Sequence, residues 1–465
     1  MTAAPVLLAV LAAFFWLFRT KFKDRFLRAF GLFFLILLVY SSNKEYYGIS
    51  TSLSESTFSP MSLLRWSLMF FLIWQATRLD KPKGFRNDIL LSTSAILLMG
   101  LMLVSCLYAE DPFYSLMRSV SFSLFVMALM MGLVYYLYSS VNCLQFFKFH
   151  YYTAWIVLAP FIVLLFSGIG YGVTILMGQY AGFFGNQNMI GAFSAMITPY
   201  VLFHWRVVAE TKRDKWLDAA LLFIIFLGLW LSRSRNGALC FLIVIVTYFF
   251  IVSMQSRLAI MTVGVLVIAG FLVFPPLKTD LMSFIRKGTD KSASVTDLSS
   301  QFAEERRYEM WSGVWPKFWK QKMTGYVFAQ SHLLVYEFTE DKEVGRSLHN
   351  SYLEMFGDLG LPGFLLLALL LFRVGFKSLS ILTLPVEPLE RHITAVFISG
   401  FVAGSVNAFF ESWMFSAGNL LTLMYWGSFT GIVARMAWQP GQAPSTARTP
   451  AMQAEMQYPA IRAQN

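Results

Sequence analysis

Residues 88–107 read DILLSTSAILLMGLMLVSCL: one aspartate, then nineteen positions without a charge. About 20 apolar residues in a helix cover the hydrocarbon core of a bilayer, whereas a surface helix of a soluble protein would interrupt such a run with a polar face. Comparable runs lie near 5–18, 26–42, 61–77, 115–138, 151–167, 189–205, 217–231, 236–253, 258–275, 360–373, 393–410 and 418–434. Of the 465 residues 57% are hydrophobic and only 14% charged, too little charge to wrap one aqueous core of that size. A lipid-exposed backbone must satisfy its own hydrogen bonds, so the runs read as helices. The sequence predicts an all-α fold, a polytopic transmembrane helical bundle of 12 or 13 spans. The count turns on Pro5 to Phe18, which has no basic residue before it and Arg19, Lys21, Lys23, Arg25 and Arg28 after it. That order is the reverse of a secretory signal, so this run reads as a short span or an interfacial segment.

The net charge of +11 would suit a nucleic-acid binder, but the basic residues sit in short loops between apolar runs, which is a topology signal. One set of loops holds Arg78, Lys81, Lys83 and Arg86, then Lys148, then Lys212, Arg213 and Lys215, then Arg257, then Arg373, Lys377 and Arg391. The opposite set has Lys44 in 43–60 and no base in 168–188. The first set is expected in the cytoplasm, with no nucleic-acid partner. The C-terminus is expected there too, where 439–465, rich in Ala, Pro, Thr and Gln, reads as a disordered tail. The expected layout is a membrane domain over 1–435 and, within it, one large and mostly helical periplasmic loop at 276–360. From Pro275 to Gly360 the chain carries 11 Lys/Arg and 12 Asp/Glu, and a connection that long is usually functional or separately folded.

Two helices are expected in this loop. Ser299 to Met323 places Trp311, Trp315, Phe318 and Trp319 along one side, which suits either a headgroup layer or plain packing, with a kink at Pro316. Ser347 to Phe356 would carry His349, ahead of breakers at Gly357, Gly360, Pro362 and Gly363.

Polar residues gather toward one face. Arg65 and Arg118 lie a turn inside the outer ends of their spans, Arg233 and Arg235 at an outer turn, Arg306 and Arg307 in the large loop, and Glu411 caps the outer end of the next-to-last helix pair. Each arginine alone could simply reach for headgroups. Together they suit a pyrophosphate, because a guanidinium stays ionised and pairs phosphate oxygens in a fork. Of five histidines, His150, His204 and His392 fall on the cytoplasmic side, and only His332 and His349 face outward. Cys106, Cys143 and Cys240 lie in or beside apolar runs and suggest neither a disulfide framework nor a metal site. Glu110-Asp111, followed by Pro112, reads as a turn rather than a metal site, and neither metal nor cofactor is expected.

Three stretches resemble the O-antigen ligase/polymerase superfamily. Ser232-Arg-Ser-Arg235-Asn-Gly-Ala238 resembles its "Ser-Arg-Gly-Ala" turn, with Asn236 inserted, so that Arg233 and Arg235 both remain candidates. Arg307-Tyr-Glu-Met-Trp311 resembles its "Arg-x-x-x-Trp", with Arg306 alongside. His349-Asn350-Ser-Tyr352-Leu353, followed by Gly360-Leu-Pro-Gly363, resembles its "His-Asn-x-Tyr-Leu … Gly-Leu-x-Gly". Phe184-Gly-Asn-Gln-Asn188 is a looser likeness. The resemblance implies a bacterial inner-membrane glycosyltransferase with its active site facing the periplasm. The donor would be a glycan on undecaprenyl pyrophosphate. The acceptor would be a glycan or lipid A-core, as in an O-antigen ligase or a surface polysaccharide polymerase. It further implies a metal-independent, inverting transfer with His349 as catalytic base and with Arg235, Arg307, Arg233, Arg306, Arg118 and Arg65 on the pyrophosphate. Membrane lipids are the other expected partners. A lipid-linked glycan flippase and a protein O-oligosaccharyltransferase are the alternatives. Charge-free midplanes and the lack of an internal repeat count against transport.

Overall fold

The computed structural model describes residues 4–41, 60–81, 85, 88–166, 175–176, 179–184, 186–253, 255, 257–262, 306–331, 348–383 and 387–437. The helices in chain order are α1 (Ala4–Thr20), α2 (Arg25–Ser41), α3 (Pro60–Ala76), α4 (Ile89–Ser105), α5 (Pro112–Ala128), α6 (Val134–Leu137) and α7 (Ser140–Phe166), then α8 (Gln187–Phe203), α9 (Lys212–Ser232), α10 (Arg235–Val252), α11 (Arg306–Lys320), α12 (Ser351–Thr383), α13 (Pro388–Asn407) and α14 (Leu420–Ala437). A π-helical turn, Leu129–Leu133, joins α5 to α6, and another, His204–Val208, ends α8. One small hairpin, Ile175–Leu176 against Gln179–Tyr180, departs from the all-helical pattern.

Among the described residues six helices are long and apolar enough to cross a membrane: Ile89–Tyr108, Pro112–Leu137, Ser140–Leu165, Lys212–Ser232, Arg235–Val252 and Ser351–Ser380. The runs expected at 26–42, 61–77, 189–205, 393–410 and 418–434 are helical as well. The run at 258–275, the ends of the 276–360 loop, His332 and the 439–465 tail lie wholly or mostly outside the described residues.

Local chemistry sets the helix starts. The Asp88 carboxylate accepts from the Leu91 amide and starts α4; that of Asp111 accepts from the Tyr114 amide, with Pro112 at the first helical position of α5. The Glu110-Asp111 pair is thus a helix-starting turn, as the sequence suggested. Asn186 caps α8, a reciprocal Thr211–Asp214 box caps α9 and Ser234 caps α10, each satisfying amides that have no partner within the helix.

The centre is α8, which buries every residue from Met189 to Phe203, as a helix apolar on all sides must. It packs against α7, α9, α10 and α13. At its crossing with α10, Gly191 and Gly237 meet so closely that a Cβ on Gly237 would lie 2.6 Å from the Gly191 Cα. His150 is buried among Phe30, Phe34, Phe146 and Tyr200 and bonds the Phe146 carbonyl. His204 pairs with Asp218 at 2.9 Å, and His392 Nδ1 lies 2.9 Å from the Tyr248 hydroxyl. These three histidines are packing elements.

Helix α12 contains one residue out of helical geometry, Gly360, at φ 64° and ψ −162°. The sequence placed a break in this stretch, but Gly357, Pro362 and Gly363 stay within the helical run and Gly360 alone turns the chain. A left-handed backbone of this kind favours glycine. The turn is fastened to the segment after α11: the Tyr326 amide donates to Gly357 O, Val327 to Asp358 O and Leu361 to Lys322 O, at 2.8, 2.8 and 2.6 Å.

Candidate functional site

Helix α12 begins at Ser351, four residues later than the sequence pattern placed it. The reason is Asn350, whose Oδ1 accepts from the Tyr352 and Leu353 amides. His349 therefore sits not on a helix but in the turn ahead of one, with a left-handed φ of 50°. Its neighbours hold that conformation. Leu348 is fully buried; its carbonyl accepts from Trp311 Nε1 at 2.7 Å and its amide donates to Glu354 Oε1 at 3.2 Å. The Asn350 amide donates to Ser412 Oγ at 3.0 Å, and Ser351 Oγ donates to the Glu411 carbonyl at 2.8 Å. The turn is thus stitched to the segment that follows α13.

That segment supplies the partner of the imidazole. His349 Nδ1 lies 3.4 Å from Glu411 Oε2, while Glu411 Oε1 accepts from Asn188 Nδ2 at 2.9 Å. Asn188 stands in the first turn of α8. One carboxylate thus ties three remote parts of the chain together. Donation from Nδ1–H to the carboxylate would leave the lone pair on Nε2, the tautomer a general base needs. The His349 side chain is 39% exposed, so a substrate can reach it.

Arg235 is the first residue of α10, half-buried, and lies at this same end of the bundle. Its neighbour Asn236 donates from Nδ2 to Asn407 O, and the following carbonyl, Ala408 O, accepts from the Ser351 amide. Arg233 ends α9 in a left-handed conformation and is exposed. The starts of α8, α10 and α12 thus all gather around the end of α13. Helix N-termini carry partial positive charge, and this adds to the guanidinium of Arg235.

Arg65 and Arg118 share a cavity of about 190 Å³ with Tyr40, Tyr114, Ser121 and Phe415–Gly418. Arg65 Nη2 donates to Ser62 Oγ at 2.9 Å, and its guanidinium stacks 4.6 Å over the Tyr40 ring. Gly418 leaves room for it, since a Cβ there would come 1.7 Å from Arg65 Nη1. Arg118 acts electrostatically on Glu354 and Asp358 in the first turns of α12. The cavity and the His349 turn are therefore neighbours, separated by the short stretch from Glu411 to Phe415. Arg306 and Arg307 open α11, but their side chains lie outside the described residues. Downstream, Met310, Val314 and Phe318 pack with Leu348 and Phe356, whereas Trp315 and Trp319 are exposed and stacked 5.9 Å apart. The aromatic face expected on this helix is split between packing and exposure.

The sequence named Glu411 and Asn188 but gave neither a role, and it did not single out Ser412 or Glu354. Glu411 and His349 are 62 positions apart, a pairing that no periodicity reports.

Fold and site together define an integral membrane protein of helical type, carrying a histidine–carboxylate pair at the same end of its bundle as Arg235 and the Arg65–Arg118 cavity. Residues 220–368 match the family described as O-Antigen ligase. This is about a third of the chain and includes the Ser232–Ala238, Arg307–Trp311 and His349–Leu353 stretches. The match supports an assignment to the O-antigen ligase/polymerase family. A search of curated proteins gives no match.

Proposed function

We propose that the chain is a metal-independent, inverting glycosyltransferase that takes a glycan from undecaprenyl pyrophosphate and gives it to a sugar hydroxyl, as an O-antigen ligase or a surface polysaccharide polymerase does. The supporting observation is the accessible imidazole of His349, backed by Glu411 at the same end of the bundle as Arg235 and the Arg65–Arg118 cavity. The acceptor hydroxyl gives its proton to His349 Nε2 as its oxygen bonds to the anomeric carbon. The bond from that carbon to the pyrophosphate breaks on the opposite face, and the carrier leaves as the pyrophosphate anion. Charge grows on the departing oxygens, where guanidinium groups and helix N-termini stabilise it most. Arg235, Arg65 and Arg118 are assigned this task, with Arg307, Arg306 and Arg233 as further contributors.

The proposed setting is the bacterial inner membrane, crossed 12 or 13 times by residues 1–435. The site faces the periplasm beneath the 276–360 loop, and the 439–465 tail is cytoplasmic. Lipid A-core or a second lipid-linked glycan would be the acceptor. The test is transfer in proteoliposomes supplied with lipid-linked donor. His349→Ala and Arg307→Ala should insert normally and lose transfer, the first by about 10²–10⁴-fold, as expected for loss of a general base. Full activity of His349→Ala, or retention at the anomeric carbon by NMR, would overturn the mechanism.

A further inference from the structure

A second, larger cavity, about 670 Å³, opens between α4, α5, α12 and α14 at the end of the bundle opposite His349. Its lining reaches Lys377, seventeen residues and so about 25 Å of helix beyond the Gly360 turn. It therefore plays no part in the site above. Its walls are apolar, and several stand open: Ile89, Ile96, Met127 and Met131 line it and are 79, 63, 40 and 40% exposed. The mouth is polar. Arg373 Nε donates to Asp88 Oδ2 at 2.9 Å, and the same carboxylate group caps α4. Lys377, one turn beyond Arg373, lines the same mouth, and no carboxylate pairs with it among the described residues. Two cations against one committed carboxylate leave the mouth positive.

The depth is informative. Along α4 the lining runs from Ile89 to Met99, about 15 Å of helix, which is half of a hydrocarbon core about 30 Å thick. The groove is one leaflet deep, closed toward the middle by Phe122 and Trp426 and open to a charged rim. We propose that it binds an anionic phospholipid, with an acyl chain along α4 and the phosphate against Lys377 and Arg373. Basic pockets between membrane helices recognise lipid headgroups by this combination of chain burial and charge. Zwitterionic lipid fits the same walls but gains less from the positive rim.

The full chain, purified in mild detergent, is titrated with phosphatidylglycerol and with phosphatidylcholine of identical chains, and bound lipid is counted by native mass spectrometry. Wild type should hold one phosphatidylglycerol about fivefold more tightly than phosphatidylcholine, the contribution of one interfacial lysine. Lys377→Glu should abolish that preference. Ala95→Trp, which fills the groove without touching the charge, should remove the tight site for both lipids. Lys377→Glu lies on a half-exposed position and decides the matter alone if the tryptophan variant fails to fold. Equal binding of both lipids by wild type, or an unchanged preference in Lys377→Glu, overturns the proposal. So does displacement of the phosphatidylglycerol by a polyprenyl phosphate, which would make the groove a carrier-lipid site.

Discussion

His349 holds a left-handed backbone that costs a residue with a Cβ about 1–2 kcal/mol, and the bonds from Trp311, Glu354 and Ser412 keep it there. Strain maintained in this way aims the imidazole at Glu411 and away from its own helix. In the proposed mechanism Glu411 is a positioning residue, held in turn by Asn188. Glu411→Gln should lower kcat with little change in donor KM, by less than His349→Ala does, and should alter the pH dependence of turnover. Glu411→Asp should restore part of the rate. A variant whose donor KM rises while kcat stays unchanged would show that Glu411 serves binding instead. The proposed base, His349, was legible in the sequence because it stands in a local motif just ahead of an apolar run. Its partner was not, because nothing local relates position 349 to 411. Arg65 and Arg118 were legible as charges near span ends, but their convergence on one cavity depends on Gly418 and Tyr40, which carry no signal of their own.

At the scale of elements the apolar runs mapped well onto helices, since lipid and core both demand uninterrupted apolar surface. The misplacements have specific causes. The start of α12 moved because the Asn350 side chain captures the first free amides, a competition that hydrophobic pattern does not register. The π-helical turns at Leu129–Leu133 and His204–Val208 likewise leave no mark in the hydrophobic pattern. The crossing of α8 and α10 sets the position of Arg235. Added atoms at Gly237 meet the Gly191 backbone, which has no rotamer to change. Gly237→Ala should therefore destabilise the protein by about 1–3 kcal/mol, the usual cost of overpacking, read as a lower thermal midpoint in detergent. Turnover should fall with it as Arg235 is displaced. An unchanged midpoint would mean that the two helices can part freely.

Across the whole molecule, the end opposite His349 is held by a buried polar cluster. Arg435, 5% exposed, pairs with Glu390 at 3.0 Å and also bonds the Leu137 and Tyr138 carbonyls, while Ser140 bonds the same glutamate. Arg435→Ala strands the Glu390 charge and should cost about 3–5 kcal/mol, measured by thermal unfolding in detergent. The double change Arg435→Met with Glu390→Gln should recover much of that loss, and equal losses in the single and double variants would deny the coupling. The sequence treated basic residues on this side as markers of topology and so did not single out one arginine folded inward. Under the proposed activity, the turn at Gly360 bears on how bulky sugars come and go. Laced by three main-chain bonds to the stretch after α11, it behaves as a welded joint and not a hinge. The imidazole consequently stands on a fixed pier, and traffic must pass around it, so any gate has to be built from some other part of the chain.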